Sequence, residues 1–228
     1  MKHYFITGAN RGIGLELVRQ LSALGHPVFA CCRQPNEAKE LQDLSKKNNI
    51  KIISLNLEDL SSIQQLPQFI ADEPIDVLLN VAGVMGSPQD LYGTEEMRWI
   101  KTFKINAMAP FFISRILLPN LKKGQDKIIV NMSSQMGSID DNKSGGRYIY
   151  RSTKAALNAV TKSLALDLAP EKFKVITFHP GWVKTRMGGE NALISVDKSV
   201  EGLRQVLDNL SSNQNGQFIN YRGEIIPW

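Results

Sequence analysis

The chain has 228 residues, 43% of them hydrophobic and 21% charged, a composition that suits one sizeable core in an ordinary globular protein. Its net charge of +5 comes from scattered cations with only short doublets, such as Lys46-Lys47 and Lys122-Lys123. A nucleic-acid surface would show a basic stripe with interleaved aromatics, and a membrane span would need roughly 20 apolar residues in a row; neither is present, so neither partner is expected.

Lys2 to Thr7 forms a short apolar strand, entered almost at once, which leaves no room for a signal peptide and makes a cytoplasmic location the expectation. Gly8-Ala9-Asn10-Arg11-Gly12-Ile13-Gly14 follows directly. A helix comes next, with Leu15, Leu17, Val18, Leu21 and Leu24 as its apolar stripe and Gly25 as its stop. Strand, glycine-rich turn and helix open a dinucleotide-binding βαβ unit, because glycines let a pyrophosphate approach the backbone at a helix N-terminus. The spacing is G-x-x-x-G-x-G, not the more usual G-x-G-x-x-G.

Val28 to Cys32 is the second strand; its adjacent Cys31 and Cys32 cannot easily bridge and are expected to be reduced core residues. Arg33 stands at its carboxyl end, where an acid would hold a ribose 2′-hydroxyl and an arginine accommodates a 2′-phosphate. With Arg11 in the glycine turn and no carboxylate beside them, NADP(H) is favoured over NAD. Two exposed arginines serving solubility are the competing explanation.

Alternation continues with a helix over Glu37 to Lys47, a strand over Lys51 to Asn56, a helix over Ser61 to Ile70 and a strand over Asp76 to Asn80. Asn80-Val81-Ala82-Gly83 then supplies small residues suited to close contact with a ligand. Such alternation implies an α/β fold of the Rossmann type, with about seven strands in a doubly wound parallel sheet and helices on both faces. No linker or repeat interrupts it, so one domain is expected over residues 1–228.

A long helix is expected from about Glu95 to Leu121. Pro110 has no amide hydrogen for the carbonyl of Asn106, so a kink there would free that carbonyl to bind water beside a catalytic lysine. Lys127 to Met132 is a strand ending in Ser133-Ser134, and the polar loop Gly137 to Arg147 leads to a buried helix from Tyr150 to Leu168, stopped by Pro170. On that helix Tyr150 and Lys154 are four apart and share a face. A cation there should stabilise phenolate, lowering the tyrosine pKa from near ~10 and making it a usable general acid. An ordinary Tyr/Lys pair on a helix flank is the bland alternative.

Lys174 to His179 is the next strand. Pro180-Gly181 turns sharply after it, so that the Val183 backbone and the Thr185 hydroxyl could hold the polar end of a nicotinamide. His179, closing a buried strand, is taken as structural. The segment 186–195, with its Gly188-Gly189 pair, is a short lid candidate. Ser195 to Leu210 is a helix and Gln217 to Asn220 the last strand.

Thr7-Gly8-x-x-x-Gly12-Ile13-Gly14, Asn80-x-Ala82-Gly83, Asn106, Ser134, Tyr150-x-x-x-Lys154 and Pro180-Gly181-x-Val183-x-Thr185 stand in one order. Together they resemble the short-chain dehydrogenase/reductase family over nearly the whole chain, and within it the C-factor and sniffer-type carbonyl reductase branch. The resemblance implies hydride transfer between NADP(H) and a carbonyl/alcohol pair. Tyr150 would donate the proton, Lys154 would tune it and hold the nicotinamide ribose, Ser134 would bind the substrate oxygen, and Asn106 would hold a relay water. Ser134 is chosen over Ser133 because it aligns with the family's S-x-x-G. The implied cofactor contacts are Gly8, Asn10, Arg11, Gly12, Ile13, Gly14, Arg33, Asn56, Leu57, Asn80, Ala82, Gly83, Tyr150, Lys154, Pro180, Gly181, Val183 and Thr185. No metal is implied, and a homodimer or homotetramer built through the long helices is expected.

Three departures stand out. Val81 replaces the second Asn of N-N-A-G, Asn56 replaces the Asp expected near the adenine, and the Ser134–Tyr150 interval is longer than is common. The competing class is an NADP-binding signalling or sensor protein on the same fold, but such proteins typically lose the Tyr or the Lys, and both are here. An epimerase or dehydratase would usually need a larger C-terminal region.

Overall fold

The computed structural model describes residues 1–87 and 90–228. The chain alternates through β1 (Tyr4–Thr7), α1 (Gly12–Ala23), β2 (Val28–Cys32), α2 (Lys39–Ser45), β3 (Ile50–Ser54), α3 (Leu60–Gln64), α4 (Leu66–Ile70) and β4 (Val77–Asn80). It continues with α5 (Glu96–Phe103), α6 (Ala109–Ile116), α7 (Leu118–Lys123), β5 (Ile128–Met132), α8 (Tyr148–Asp167), β6 (Lys174–His179), α9 (Val196–Asp208) and β7 (Phe218–Asn220).

Among the described residues, seven strands form one sheet in the order β3-β2-β1-β4-β5-β6-β7, every pair parallel. This is the expected Rossmann-type fold. Its strands read as unbroken apolar runs because both faces are covered, and the pleat sorts alternate residues between two cores. Tyr4, Ile6, Val28, Ala30, Val130, Ile176 and Phe178 pack toward α1, α2 and α9. Phe5, Phe29, Cys31, Leu78, Ile129 and Val175 pack toward α3, α4, α6, α7 and the far end of α8. The connections reverse direction between β1 and β4, which opens a crevice at their carboxyl ends.

The helix expected over Ser61 to Ile70 is two helices. Pro67 has no N–H for the carbonyl of Ile63, and the chain re-caps at Gln65. The single helix expected over 95–121 is also divided. Pro119 sits in the first turn of α7, after Leu117 leaves helical geometry. Instead of a simple proline kink, Lys104–Met108 forms a π-helical turn containing Asn106. Such turns absorb an irregularity without ending the helix and are frequent at functional sites. The helix expected over Glu37 to Lys47 begins as a 3-10 turn at Pro35–Glu37 and becomes α-helical only from Lys39.

Candidate active site

Parallel topology gathers the segments singled out by sequence at one edge of the sheet. The glycine turn follows β1, Arg33 follows β2, Asn56-Leu57 follow β3, and Asn80 to Gly83 close and follow β4. Ser134 follows β5 and Pro180 to Thr185 follow β6. The Thr7 hydroxyl ties the first and fourth of these together, accepting from the amides of Val81 (3.0 Å) and Ala82 (3.1 Å).

The glycine turn fits a dinucleotide. A side chain at Gly14 would place its Cβ 2.2 Å from the Gly8 carbonyl oxygen, so the start of α1 packs backbone to backbone on the turn. Arg11 caps α1 with no side-chain hydrogen bond, and its first turn carries no acid, which leaves the leading amides for an anion. Gly12 lies against Thr185, bringing the turns after β1 and β6 together. Ile13 and Leu57 pack partly into the two cores.

Several expected contact residues are already committed locally. The Asn56 Oδ1 accepts from the amide of Glu58 at 3.2 Å. The Asn80 amide is buried and donates to Asn131 Oδ1 at 2.9 Å, and Asn131 in turn donates to Thr161 on α8. The Thr185 hydroxyl accepts from the amide of Gly188 at 3.1 Å. The expected lid, 186–195, folds back on itself. The amides of Leu193 and Ile194 both bond the Trp182 carbonyl at 3.0 Å, and the Trp182 indole donates to the Gly188 carbonyl at 2.8 Å.

The catalytic candidates converge at the start of α8. Tyr150 and Lys154 are both buried, and the Lys154 ammonium lies 5.8 Å from the tyrosine ring centroid. Lys154 Nζ donates to the Met132 carbonyl at 2.7 Å, which fixes it on the last residue of β5. Gly83 leaves room there: a Cβ would stand 3.3 Å from both Lys154 Nζ and Asn106 Oδ1. Asn106 is fully buried; its side chain accepts from the Val84 amide (2.9 Å) and donates to the Val84 carbonyl (2.9 Å) and the Thr153 hydroxyl (3.1 Å). It thereby clamps the segment after β4 to α8.

The two serines differ in their surroundings. Ser133 is buried, with Oγ 3.5 Å from the Lys154 carbonyl, whereas Ser134 is half-buried and hydrogen-bonds Tyr150.

Electrostatics correct one expectation. Burial pushes the Tyr150 phenol up to about 12, opposed by the hydrogen bond from Ser134, instead of Lys154 drawing it down. The ammonium stands over the ring face, and desolvation of the phenolate dominates. Desolvation also lowers Lys154 to about 8. His179, at the end of β6, is lowered by burial to about 4 and is neutral at physiological pH.

The pattern is matched over residues 2–193 by the model of the short chain dehydrogenase family. The chain belongs to that family. It is similar to the solved carbonyl reductase Sniffer of Drosophila melanogaster, with 37% identity, a TM-score of 0.93 and 100% of both chains covered. The NADPH-bound carbonyl reductase from chicken fatty liver is 34% identical with a TM-score of 0.93, over 100% of this chain and 99% of that one. The C-signal protein of Myxococcus xanthus is 41% identical over 68% of this chain and 93% of its own.

Within this short-chain dehydrogenase, sequence reasoning missed the residues that hold the site in place. Thr7, Asn131, Thr153 and Thr161 are buried hydroxyls and amides on otherwise apolar elements, and each makes a bond between elements or back onto its own helix. The available signal was a polar side chain where both faces of a strand or helix must be buried. The longer Ser134–Tyr150 loop is itself braced, by Gln135 on Asp141 (3.0 Å), Arg151 on Ser144 (3.1 Å) and the Ile139 amide on the Trp228 carbonyl (2.5 Å).

Proposed function

We propose that the protein is an NADPH-dependent carbonyl reductase, with Tyr150 as the general acid. The observation that carries this reading is the Ser134–Tyr150–Lys154 cluster at the sheet edge where the glycine turn also opens. NADPH, when bound, supplies the hydride to the carbonyl carbon. Tyr150 gives its proton to the carbonyl oxygen, so an aldehyde or ketone becomes an alcohol and the phenolate is left to regain a proton. A phenol held at about 12 stays protonated at neutral pH, the form a general acid needs. Ser134 orients the same oxygen. Lys154 stabilises the phenolate as it forms and would hold the nicotinamide ribose, while the π-turn carries the Asn106 carbonyl proposed to hold a relay water.

Arg11 and Arg33 are proposed to take the 2′-phosphate, with Gly8 to Gly14 on the pyrophosphate and Ala82, Gly83 and the Pro180 to Thr185 turn along the rest of the cofactor. Exposed Ile139, Trp182, Met187 and Leu193 on the loops around this edge, with Tyr148 at the start of α8, favour an apolar carbonyl compound. The segment 186–195 would close over it. We further place the enzyme in the cytoplasm as a single domain that self-associates. Among the described residues no helix is long and apolar enough to cross a membrane, and Met97, Ile100, Phe103 and Met108 are exposed along α5 and the turn after it.

The test is NADPH oxidation, followed by absorbance, against aldehydes, diketones and quinones, with NADH in parallel. Turnover with NADPH preferred is the expected outcome. Tight NADPH binding with no turnover across the panel would leave either a narrow enzyme whose substrate lies outside the panel or a cofactor-binding signalling protein, the reading to which the likeness to C-signal lends support.

A further inference from the structure

Glu58 lies in the turn after β3, and its carboxylate is shared by two cations from different elements. Lys101 Nζ, on α5, stands 2.9 Å from Glu58 Oε1, and Arg33 Nη1, just past β2, stands 3.6 Å from the same oxygen. The supports of the three side chains differ. The Glu58 turn is fixed by its own amide on Asn56 Oδ1 (3.2 Å) and by the Asn56 amide on Ser62 Oγ (3.0 Å). The helix carrying Lys101 is pinned to α8 through the Trp99 indole on Ser152 Oγ, 2.9 Å. Arg33 is held less firmly: its carbonyl is met by a long bond from Ser54 Oγ (3.4 Å), and its side chain is 64% exposed at the looser of the two contacts. Arg33 is therefore the member free to move.

The proposed 2′-phosphate would arrive at this edge and compete with Glu58 for Arg33. A carboxylate left without any cation beside a dianion would repel it, within the reach of roughly 8 Å that physiological salt allows. Lys101 removes that penalty, because it remains on Glu58 when Arg33 leaves. We propose that Glu58 and Lys101 form a charge-exchange latch that sets affinity for the 2′-phosphate. Glu58 parks Arg33 at the edge of the crevice, and Lys101 keeps Glu58 neutralised once Arg33 turns to the phosphate. Neither residue touches the cofactor; both act by positioning Arg33. This inference rests on the NADPH reading above.

Calorimetric titration of the full chain with 2′,5′-ADP and with 5′-AMP separates the two claims without any turnover. The wild type should bind 2′,5′-ADP the more tightly. Lys101→Met should weaken 2′,5′-ADP by about threefold, the size typical of exposed ion pairs, and leave 5′-AMP unchanged. Glu58→Gln should tighten 2′,5′-ADP by about threefold, and adding Lys101→Met to that variant should change nothing more. The latch is overturned if Glu58→Gln leaves 2′,5′-ADP affinity unaltered, if Lys101→Met weakens both probes alike, or if its effect persists without Glu58. A wild type that does not distinguish the probes overturns the NADPH reading and the latch with it.

Discussion

The catalytic end of the crevice and its 2′-phosphate end solve opposite electrostatic problems. At the first, Tyr150 and Lys154 are withdrawn from water, and each is pushed toward its neutral form by desolvation. At the second, Arg33, Glu58 and Lys101 remain 64%, 29% and 54% exposed and share charge across loose contacts. Burial gives fixed geometry and interactions of several kcal/mol, whereas exposure gives small, exchangeable ones. Substitutions should therefore have large effects at the buried end and modest effects at the exposed one.

Tyr150→Phe is the strongest test of the buried end. Only the hydroxyl is lost, so the core around the ring should hold. Turnover should fall by about 10²–10⁴-fold, the usual contribution of a positioned general acid, while NADPH binding stays within a few-fold of wild type. Retained turnover would remove Tyr150 from the mechanism. Gly14→Ala should come next. Its Cβ would lie 2.2 Å from the Gly8 carbonyl oxygen, and backbone on both sides leaves nothing soft to give way. A loss of about 1–3 kcal/mol in denaturant unfolding, together with loss of NADPH binding, is expected.

Lys154→Met should divide activity from stability. A lysine whose pKa falls from 10.5 unfolded to about 8 folded opposes folding below pH 8, by about 3 kcal/mol. The unfolded chain binds the extra proton between those values, so wild-type stability should rise as pH passes 8. From about pH 9 the thiols of Cys31 and Cys32, raised by burial, and above pH 10 the raised phenols of Tyr4 and Tyr150 turn the trend, since the folded state then keeps protons the unfolded state has lost. The variant should be inactive, more stable than wild type at pH 7 by about 2 kcal/mol once the lost bond to Met132 is allowed for, and without the rise above pH 8. A variant that is less stable at pH 7 would show that the bond to Met132 outweighs desolvation.

The same contrast explains what was legible in the sequence. The parallel sheet, the crevice and the place of Gly8 to Gly14, Ser134, Tyr150 and Lys154 follow from local patterns, because apolar runs, glycine turns and helical spacing are each read over a few residues. The direction of the Tyr150 shift was not legible. It depends on how completely α8, β5 and the following loop exclude water, which no local spacing encodes. The π-turn at Lys104–Met108 was half legible: Pro110 announced an irregularity, but its form depends on Asn106 being gripped by Val84 and Thr153 from two other elements. Glu58 and Lys101 were passed over because one acid and one lysine in a sequence look like any other until the fold puts them 2.9 Å apart.

Arg33→Ser bears on the exposed end and should have a smaller effect than any change at the buried one. Serine is the cleaner replacement, because aspartate beside Glu58 would add repulsion of its own. Losing one charge-assisted contact to a phosphate corresponds to about a tenfold fall in the NADPH-to-NADH affinity ratio, read by fluorescence titration of each cofactor. The change should appear in NADPH affinity alone, and it should shrink as salt is raised, since exposed charges are screened and buried ones are not. A ratio that falls equally at low and high salt would mean that Arg33 is drawn into a shielded position when cofactor binds, and the two ends of the crevice would then differ less than their present exposures indicate. An unchanged ratio would leave Arg11, at the cap of α1, as the cation that selects the cofactor.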